Sequence, residues 1–348
     1  MPSLDLEIKP FDLKNARESE YAILNQLGNR LRAESWPEDP PRTLDETIRE
    51  ARSIPPFVDV KVWAAWRGVN EMVAMASVAL VRMETNQHIA EAGIEVVPEM
   101  RRQGIAKQFL PLITEVASNE NRRLLMVTTD SMVPAGEIFA KRLGAQLGIT
   151  SRTNQLNLVE LDRERIHQWI KHGEERASDF ELGLWTGSYP EEELTPIINL
   201  WEVMNSEPRD DLDVEDWHWT PERIRQHEAS LAHQKTERWS LYVRDKKSGH
   251  FAGFTEVFWN PAQPETMRQG ATGVFPEYRN KGLGRWLKAT MLEKILCERP
   301  QVKRVRTGNA NSNAPMLKIN TELGFKPYKS WSTWQIELDK LEAYLREK

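Results

Sequence analysis

The sequence has one cysteine, Cys297, among 348 residues, so no intrachain disulfide can form and a reducing, cytoplasmic setting is expected. It has no surplus of positive charge: 47 Lys and Arg stand against 52 Asp and Glu, a net charge of -5. A chain that grips nucleic acid needs such a surplus to neutralise phosphates, so no nucleic-acid partner is expected. Long apolar runs are missing too. The longest, residues 72–81, is about half of the ~20 residues that span a bilayer, and residues 1–8 alternate without a signal-peptide core, so no membrane partner is expected. The seven histidines fit neither a zincin helix nor a zinc finger, and no metal is expected. Tyrosine is scarce, 6 against 13 tryptophans, an imbalance that composition does not explain.

What is present is an ordinary globular balance of 28% charged and 40% hydrophobic residues, with a length that suggests two domains. An internal repeat gives that length content. Val-x-Pro-Glu-x-Arg-x-x-Gly occurs from Val96 and again from Val274, an offset of 178, and Leu143-Gly144 returns as Leu323-Gly324, an offset of 180. Each half opens with a short alternating strand, at residues 6–11 and 180–185. An amphipathic helix follows, then a second helix, signalled by Thr43 with Glu46 as a capping box and by Thr220-Pro221. Hairpin strands, the repeated segment, a helix, a strand, a helix and a final strand complete each half. Residues 1–160 and 179–348 are therefore read as homologous domains, with the charged stretch 161–178 as linker.

In the second half, Arg279-Asn280-Lys281-Gly282-Leu283-Gly284 joins a strand to a helix. Glycines let successive N–H groups point into one concavity, and the helix N-terminus adds unsatisfied donors, so the loop suits a diphosphate. Glycine used merely for turn geometry is the competing reading. The loop is not a Walker A sequence, and it lacks the Gly-x-Gly-x-x-Gly of a dinucleotide fold.

These motifs resemble the GNAT superfamily of N-acetyltransferases. Arg279-x-x-Gly282-x-Gly284 is similar to its pyrophosphate loop, and the stretch from Asn309 through Asn313 to Leu323-Gly324-Phe325 is similar to its Asn-bearing strand end and closing helix. The first half shows Arg101-x-x-Gly104-x-Ala106 and Leu143-Gly144-Ala145, a tandem layout similar to that of mycothiol synthase. The resemblance implies an α/β fold with α+β mixed sheets in two tandem acyl-CoA N-acyltransferase domains, and acetyl-CoA as cofactor. It implies that backbone amides of residues 279–284 hold the pyrophosphate, that Val274 and Phe275 pair with the pantetheine arm, and that Asn309 and Asn313 contact the cofactor. Arg101, Arg102, Gln103, Gly104, Ile105 and Ala106 would form the matching loop of the first domain. Alignment on Gly144 and Gly324 sets Val133 against Asn313 and Ala140 against Asn320, so the second domain is expected to be catalytic and the first degenerate.

In this superfamily an amine attacks the thioester directly in a ternary complex. A base is needed. Glu256, on the strand beside the cofactor strand, is the candidate, with a solvated surface glutamate as the alternative. Many members carry a tyrosine acid where this chain has Asn320, which cannot supply a proton; Tyr328 is the fallback. Cys297, about 20 Å along its helix from the loop, is read as an ordinary buried thiol rather than an acyl carrier. In the segment between the first two helices, Asp210, Asp211, Asp213, Trp217 and Trp219 could attract and stack on a cationic amine, or form a solvated loop with buried tryptophans. The leading expectation is an acetyl-CoA-dependent N-acetyltransferase of a small, cationic primary amine. A non-catalytic acyl-CoA-binding regulator and a protein lysine or N-terminal acetyltransferase stay open as alternatives, and the oligomeric state is not legible.

Overall fold

The computed structural model describes residues 6–347. In chain order the elements are β1 (Leu6–Pro10), α1 (Glu18–Ser35), α2 (Leu44–Arg52), β2 (Val58–Arg67), β3 (Glu71–Val81), β4 (Ile89–Val96), α3 (Ile105–Asn119), β5 (Leu124–Asp130), α4 (Pro134–Arg142) and β6 (Gln146–Asn157). They continue with α5 (Arg163–Arg176), β7 (Phe180–Thr186), α6 (Leu194–Trp201), α7 (Pro221–His233), β8 (Glu237–Asp245), β9 (Phe251–Trp259) and β10 (Thr266–Val274). The last elements are α8 (Leu283–Glu298), β11 (Arg304–Ala310), α9 (Ala314–Glu322), β12 (Lys326–Glu337) and α10 (Leu338–Arg346). The expected capping box forms: Thr43 Oγ1 accepts from the Glu46 N–H at 3.2 Å, and Glu46 accepts from the Thr43 N–H at 2.8 Å.

Two compact units result. Of the described residues, one holds 6–150, Asp211–Glu215 and 331–347; the other holds Ser151–Asp210 and Asp216–Ser330. Within the first, strands run β1-β2-β3-β4-β5-β12, antiparallel except for β4 with β5. Within the second they run β7-β8-β9-β10-β11-β6, antiparallel except for β10 with β11. Apolar residues of α3 and the sheet form the first core, joined by Ile336, Leu338 and Leu341 from the C-terminal end of the chain. In the second, α5 and α8 pack on one face around Ile166, Leu287 and Val305, while α6 covers the other around Ile197 and Phe254.

The contiguous boundaries at 160 and 179 therefore differ from the observed units. Residues 331–337 of β12 pair with β5, and residues 151–157 of β6 pair with β11, so each copy's last strand completes the sheet of the other unit. The repeat gives both units an edge of the same kind, and pairing rather than chain order decides which strand fills it. The stretch read as a linker is α5, capped by Asp162 and buried at Ile166. Cys297 is exposed rather than buried, at the far end of α8. Among the described residues, no helix is long and apolar enough to cross a membrane, and no cluster of metal-ligating side chains occurs.

An N-terminal fragment ending at residue 160 lacks the strand that pairs with β5. It should melt without a cooperative transition, and appending residues 331–348 through a flexible linker should restore one, as read by near-UV circular dichroism.

Candidate functional site

The geometry of the second unit begins with a fork. β10 and β11 pair in parallel only from Thr266–Arg304 to Gln269–Thr307, and beyond that point they part. On its other side β10 stays paired with β9 down to Val274, with Phe275 N–H donating to the Ala252 carbonyl at 3.0 Å. One margin of β10 is thus an open strand edge, able to accept an extended ligand as an added strand. The close approach of β9 at this point requires glycine: a Cβ on Gly253 would lie 2.5 Å from the Gly273 carbonyl.

At the end of this edge the predicted loop takes the nest conformation. Asn280 and Gly282 have φ of 65° and 84°, both left-handed, and Gly282 caps α8 without a side chain to fill the first turn. Arg279 does not present its charge to the concavity. Its Nε donates to the Val274 carbonyl at 3.0 Å and its Nη2 to Ser206 Oγ at 2.9 Å, so it braces the loop. The Lys281 ammonium lies 5.1 Å from the Phe180 ring and 5.6 Å from that of Tyr278.

Glu256 stands beside the fork on β9, and it is not a solvated surface residue: its exposure is 3%. Between Gln269 and Thr272 β10 carries one residue more than β9 does, a bulge facing Glu256. The Ala271 N–H of that bulge donates to the carboxylate, while Oε2 has no partner. Burial raises the Glu256 pKa to about 7, against the weaker pull of Arg238 and of the Ala271 N–H. Tyr189, pushed up to about 12 by burial and then by Glu256, shares its hydroxyl with Ser240 Oγ at 3.3 Å and accepts from Trp201 Nε1 at 3.3 Å. Arg238 stacks on the Tyr189 ring at 3.6 Å and donates to Glu228 at 2.8 Å, so a buried ion pair fixes this corner.

The face that carries Glu256 is walled by aromatics. Trp201 meets Phe254 at 5.0 Å and Trp219 at 5.7 Å, and Trp219 meets His227 at 5.8 Å. Of the proposed acceptor residues, Trp219 belongs to this cluster, Trp217 is exposed, and Asp210 is exposed in the same unit. Asp211 and Asp213 lie in the short stretch that belongs to the first unit. There the Asp211 N–H bonds the Gly148 carbonyl, and Asp213 pairs with Arg123 at 2.5 Å and with His88. Asp213 therefore already has a cationic partner, Arg123, within that unit. Glu207, closing the turn that follows α6, reaches solvent yet is crowded enough for desolvation to raise its pKa.

The opposite face of the fork holds a polar chain that sequence reasoning saw only in part. Asn309 lies two residues past the last β10–β11 pair. Its Oδ1 accepts from Asn320 Nδ2 at 2.7 Å, and Asn320 Oδ1 accepts from Lys288 Nζ at 2.6 Å. Lys288 and Asn320 are each 1% exposed, and burial lowers the Lys288 pKa to about 7. Asn313 caps α9, its Oδ1 accepting from the Met316 N–H at 3.3 Å. Tyr328 lies under the Arg306 guanidinium at 4.9 Å. Arg306 and Asn309 point to opposite faces of β11 by strand alternation, so Tyr328 and Asn320 are on different sides of the sheet. Lys288 had a visible signal, since the 178-residue offset sets it against Leu110.

The first unit repeats the frame with other side chains at the matching positions. β4 and β5 part after Ala92–Val127, Arg102 and Gly104 have φ of 60° and 81°, and Arg101 Nε donates to the Val96 carbonyl at 3.0 Å. Gln103, Ile105 and Ala106 complete the matching loop and first turn of α3. Strand register sets Ser77 where the second unit has Glu256, and the β3–β4 pairing has no bulge. Thr129, Ala140 and Leu110 stand where the second unit has Asn309, Asn320 and Lys288.

Burial of Glu256 has a consequence for stability. Its native pKa lies above its ordinary value of 4.5, so the native state holds a proton that the unfolded chain has lost, and this contribution disappears as pH rises towards 7. Relative to Glu256→Gln, the wild type should lose roughly 3 kcal/mol between those limits. Urea melts of both proteins at several pH values would check it.

Known proteins share this frame. The sequence model of the Acetyltransferase (GNAT) family matches residues 22–145 and 197–325. Among curated proteins no sequence matches. A tandem GNAT protein from the clavulanic acid biosynthesis pathway, solved without acetyl-CoA, is 24% identical and superposes with a TM-score of 0.75 over 96% of this chain and 99% of its own. A GCN5-related N-acetyltransferase from Sphaerobacter thermophilus, 10% identical, gives 0.64 over 95% and 96%. At these identities the two structures speak for the fold alone. With both copies matched by the family's sequence and the tandem arrangement matched by structure, the chain belongs to the GNAT acetyltransferase family and is built from two tandem GNAT domains.

Proposed function

We propose that the second unit transfers an acetyl group from acetyl-CoA to the primary amine of a small, cationic molecule, with Glu256 as the base. Family membership gives acyl-CoA-dependent acyl transfer; the acceptor, the acetyl chain and the base are our reading. The observation that carries it is the buried Glu256 carboxylate with an unpartnered Oε2 beside the fork, a group that the first unit replaces with Ser77.

The residues present fit acyl-CoA. The open edge from Gly270 to Phe275 suits the pantetheine amides, and the nest over Asn280, Gly282 and the first turn of α8 suits the pyrophosphate. When bound, the cofactor supplies an activated acyl thioester. The chain's own work is to orient the amine and remove its proton. A carboxylate whose pKa is near 7 takes that proton at neutral pH and is released from it readily. Trp201 and Trp219 provide aromatic faces for a cation. Asn320 has no proton to give, and both ends of its amide are engaged. The first unit, with loop and fork intact but no carboxylate at Ser77, is suited to binding without turnover.

Gly282→Glu should place bulk and charge in the nest and reduce thiol release from acetyl-CoA at least 100-fold, whereas Gly104→Glu should cost far less; the reverse result would move catalysis to the first unit. Glu256→Gln should lower kcat about 10²–10⁴-fold. It should also abolish the rise in rate through pH 7, as measured with an amine panel.

A further inference from the structure

Lys288 is a buried amine without a counter-ion. Among the described residues no carboxylate lies within ion-pairing distance of its Nζ; the groups around it are Asn320 Oδ1 at 2.6 Å, Met316 Sδ at 4.0 Å and the Phe325 ring at 5.4 Å. Burying a cation against one neutral acceptor is costly, and an aliphatic residue does the packing job at this place in the first unit, where Leu110 is 3% exposed. The polar chain changes as a set: Lys288, Asn320 and Asn309 become Leu110, Ala140 and Thr129. Its outer end, Asn309, stands on the wall of the fork two residues past the last β11 residue paired with β10.

We propose that Lys288 is a positioning residue whose charge, carried through Asn320 to the fork, stabilises the thiolate that leaves from acyl-CoA. The inference rests on the reading of the second unit as the acyl-transfer site. In the transfer, the amine nitrogen bonds to the acyl carbon, the carbon–sulfur bond breaks with its electron pair going to sulfur, and the amine's proton goes to Glu256. The anion that results is the counter-ion Lys288 lacks. Proton donation by a residue at Asn320 then becomes unnecessary, because a thiolate held by a positive field leaves unprotonated. The depressed pKa of Lys288 in the absence of any anion is in keeping with this, since an arriving negative charge raises it and holds the ammonium form.

The test needs no acceptor amine. CoA carrying 13C at the carbon that bears the thiol is bound to the full-length protein, and its NMR shift is followed against pH. A cysteine thiol titrates near 8.5, and free CoA measured alongside supplies the reference for its own thiol. In the wild type one bound resonance should titrate at least one unit below free CoA, a tenfold gain in thiolate. Lys288→Met should return that midpoint to the free value, with the Kd for CoA at pH 6, where the thiol is protonated, changed less than threefold. Asn320→Asp, which gives the ammonium a permanent partner and guards against misfolding of the first variant, should also raise it. A wild-type midpoint equal to that of free CoA, or one unchanged in both variants, would overturn the proposal. A loss of CoA affinity at pH 6, where the thiol is protonated, as large as the loss of the midpoint shift would reduce Lys288 to packing. A lowered thiol midpoint together with no turnover on any amine would leave the thiolate site standing and remove the acetyltransferase reading instead.

Discussion

A parallel pair of strands that stops pairing half-way leaves backbone donors and acceptors exposed to whatever can satisfy them, and the second unit is arranged around such a parting. The fork between β10 and β11 fixes where an extended ligand can lie, because only there is an unpaired strand edge bordered by a nest at its end. It also fixes the two faces that matter. Glu256 and the bulge at Gly270–Ala271 belong to one, and Asn309, Asn320 and Lys288 belong to the other. Remote features serve the same end: Gly253 keeps β9 against β10, and Arg279 ties the strand terminus to Ser206.

The two copies separate what the frame needs from what the chemistry needs. Both keep the fork, the left-handed loop residues and the arginine bonded to the strand-end carbonyl. These are geometric requirements, met by backbone and one brace. The buried carboxylate, the bulge and the polar chain occur in one copy alone. Each is expensive to bury, and none improves the sheet. Their confinement to one unit argues for a role beyond folding.

The repeat, the loop and the element order were legible because they depend on local chemistry: Thr43 with Glu46, Thr220 before Pro221, and Gly282 at a left-handed turn. Glu256 was legible as a candidate because it lies next to β10, the strand expected to hold the cofactor. Its burial was not, since strand alternation cannot tell which face a helix will cover or where a bulge will turn an N–H. The acidic segment shows the opposite failure. Asp211 and Asp213 suit a cation by composition, yet their partners Gly148 and Arg123 are remote in sequence and belong to the other copy. The crossing of β6 and β12 was hidden for the same reason: equal edges carry no address.

That crossing also sets the order in which the protein can be completed. β5 ends at Asp130 and its partner strand segment begins at Trp331, so about 200 residues must be synthesised before the first sheet is closed. At 5–20 residues per second the nascent first unit waits roughly 10–40 s with an open parallel-sheet margin, the kind of edge that recruits neighbouring chains. The N-terminal domain, first to be made, is the last to be finished.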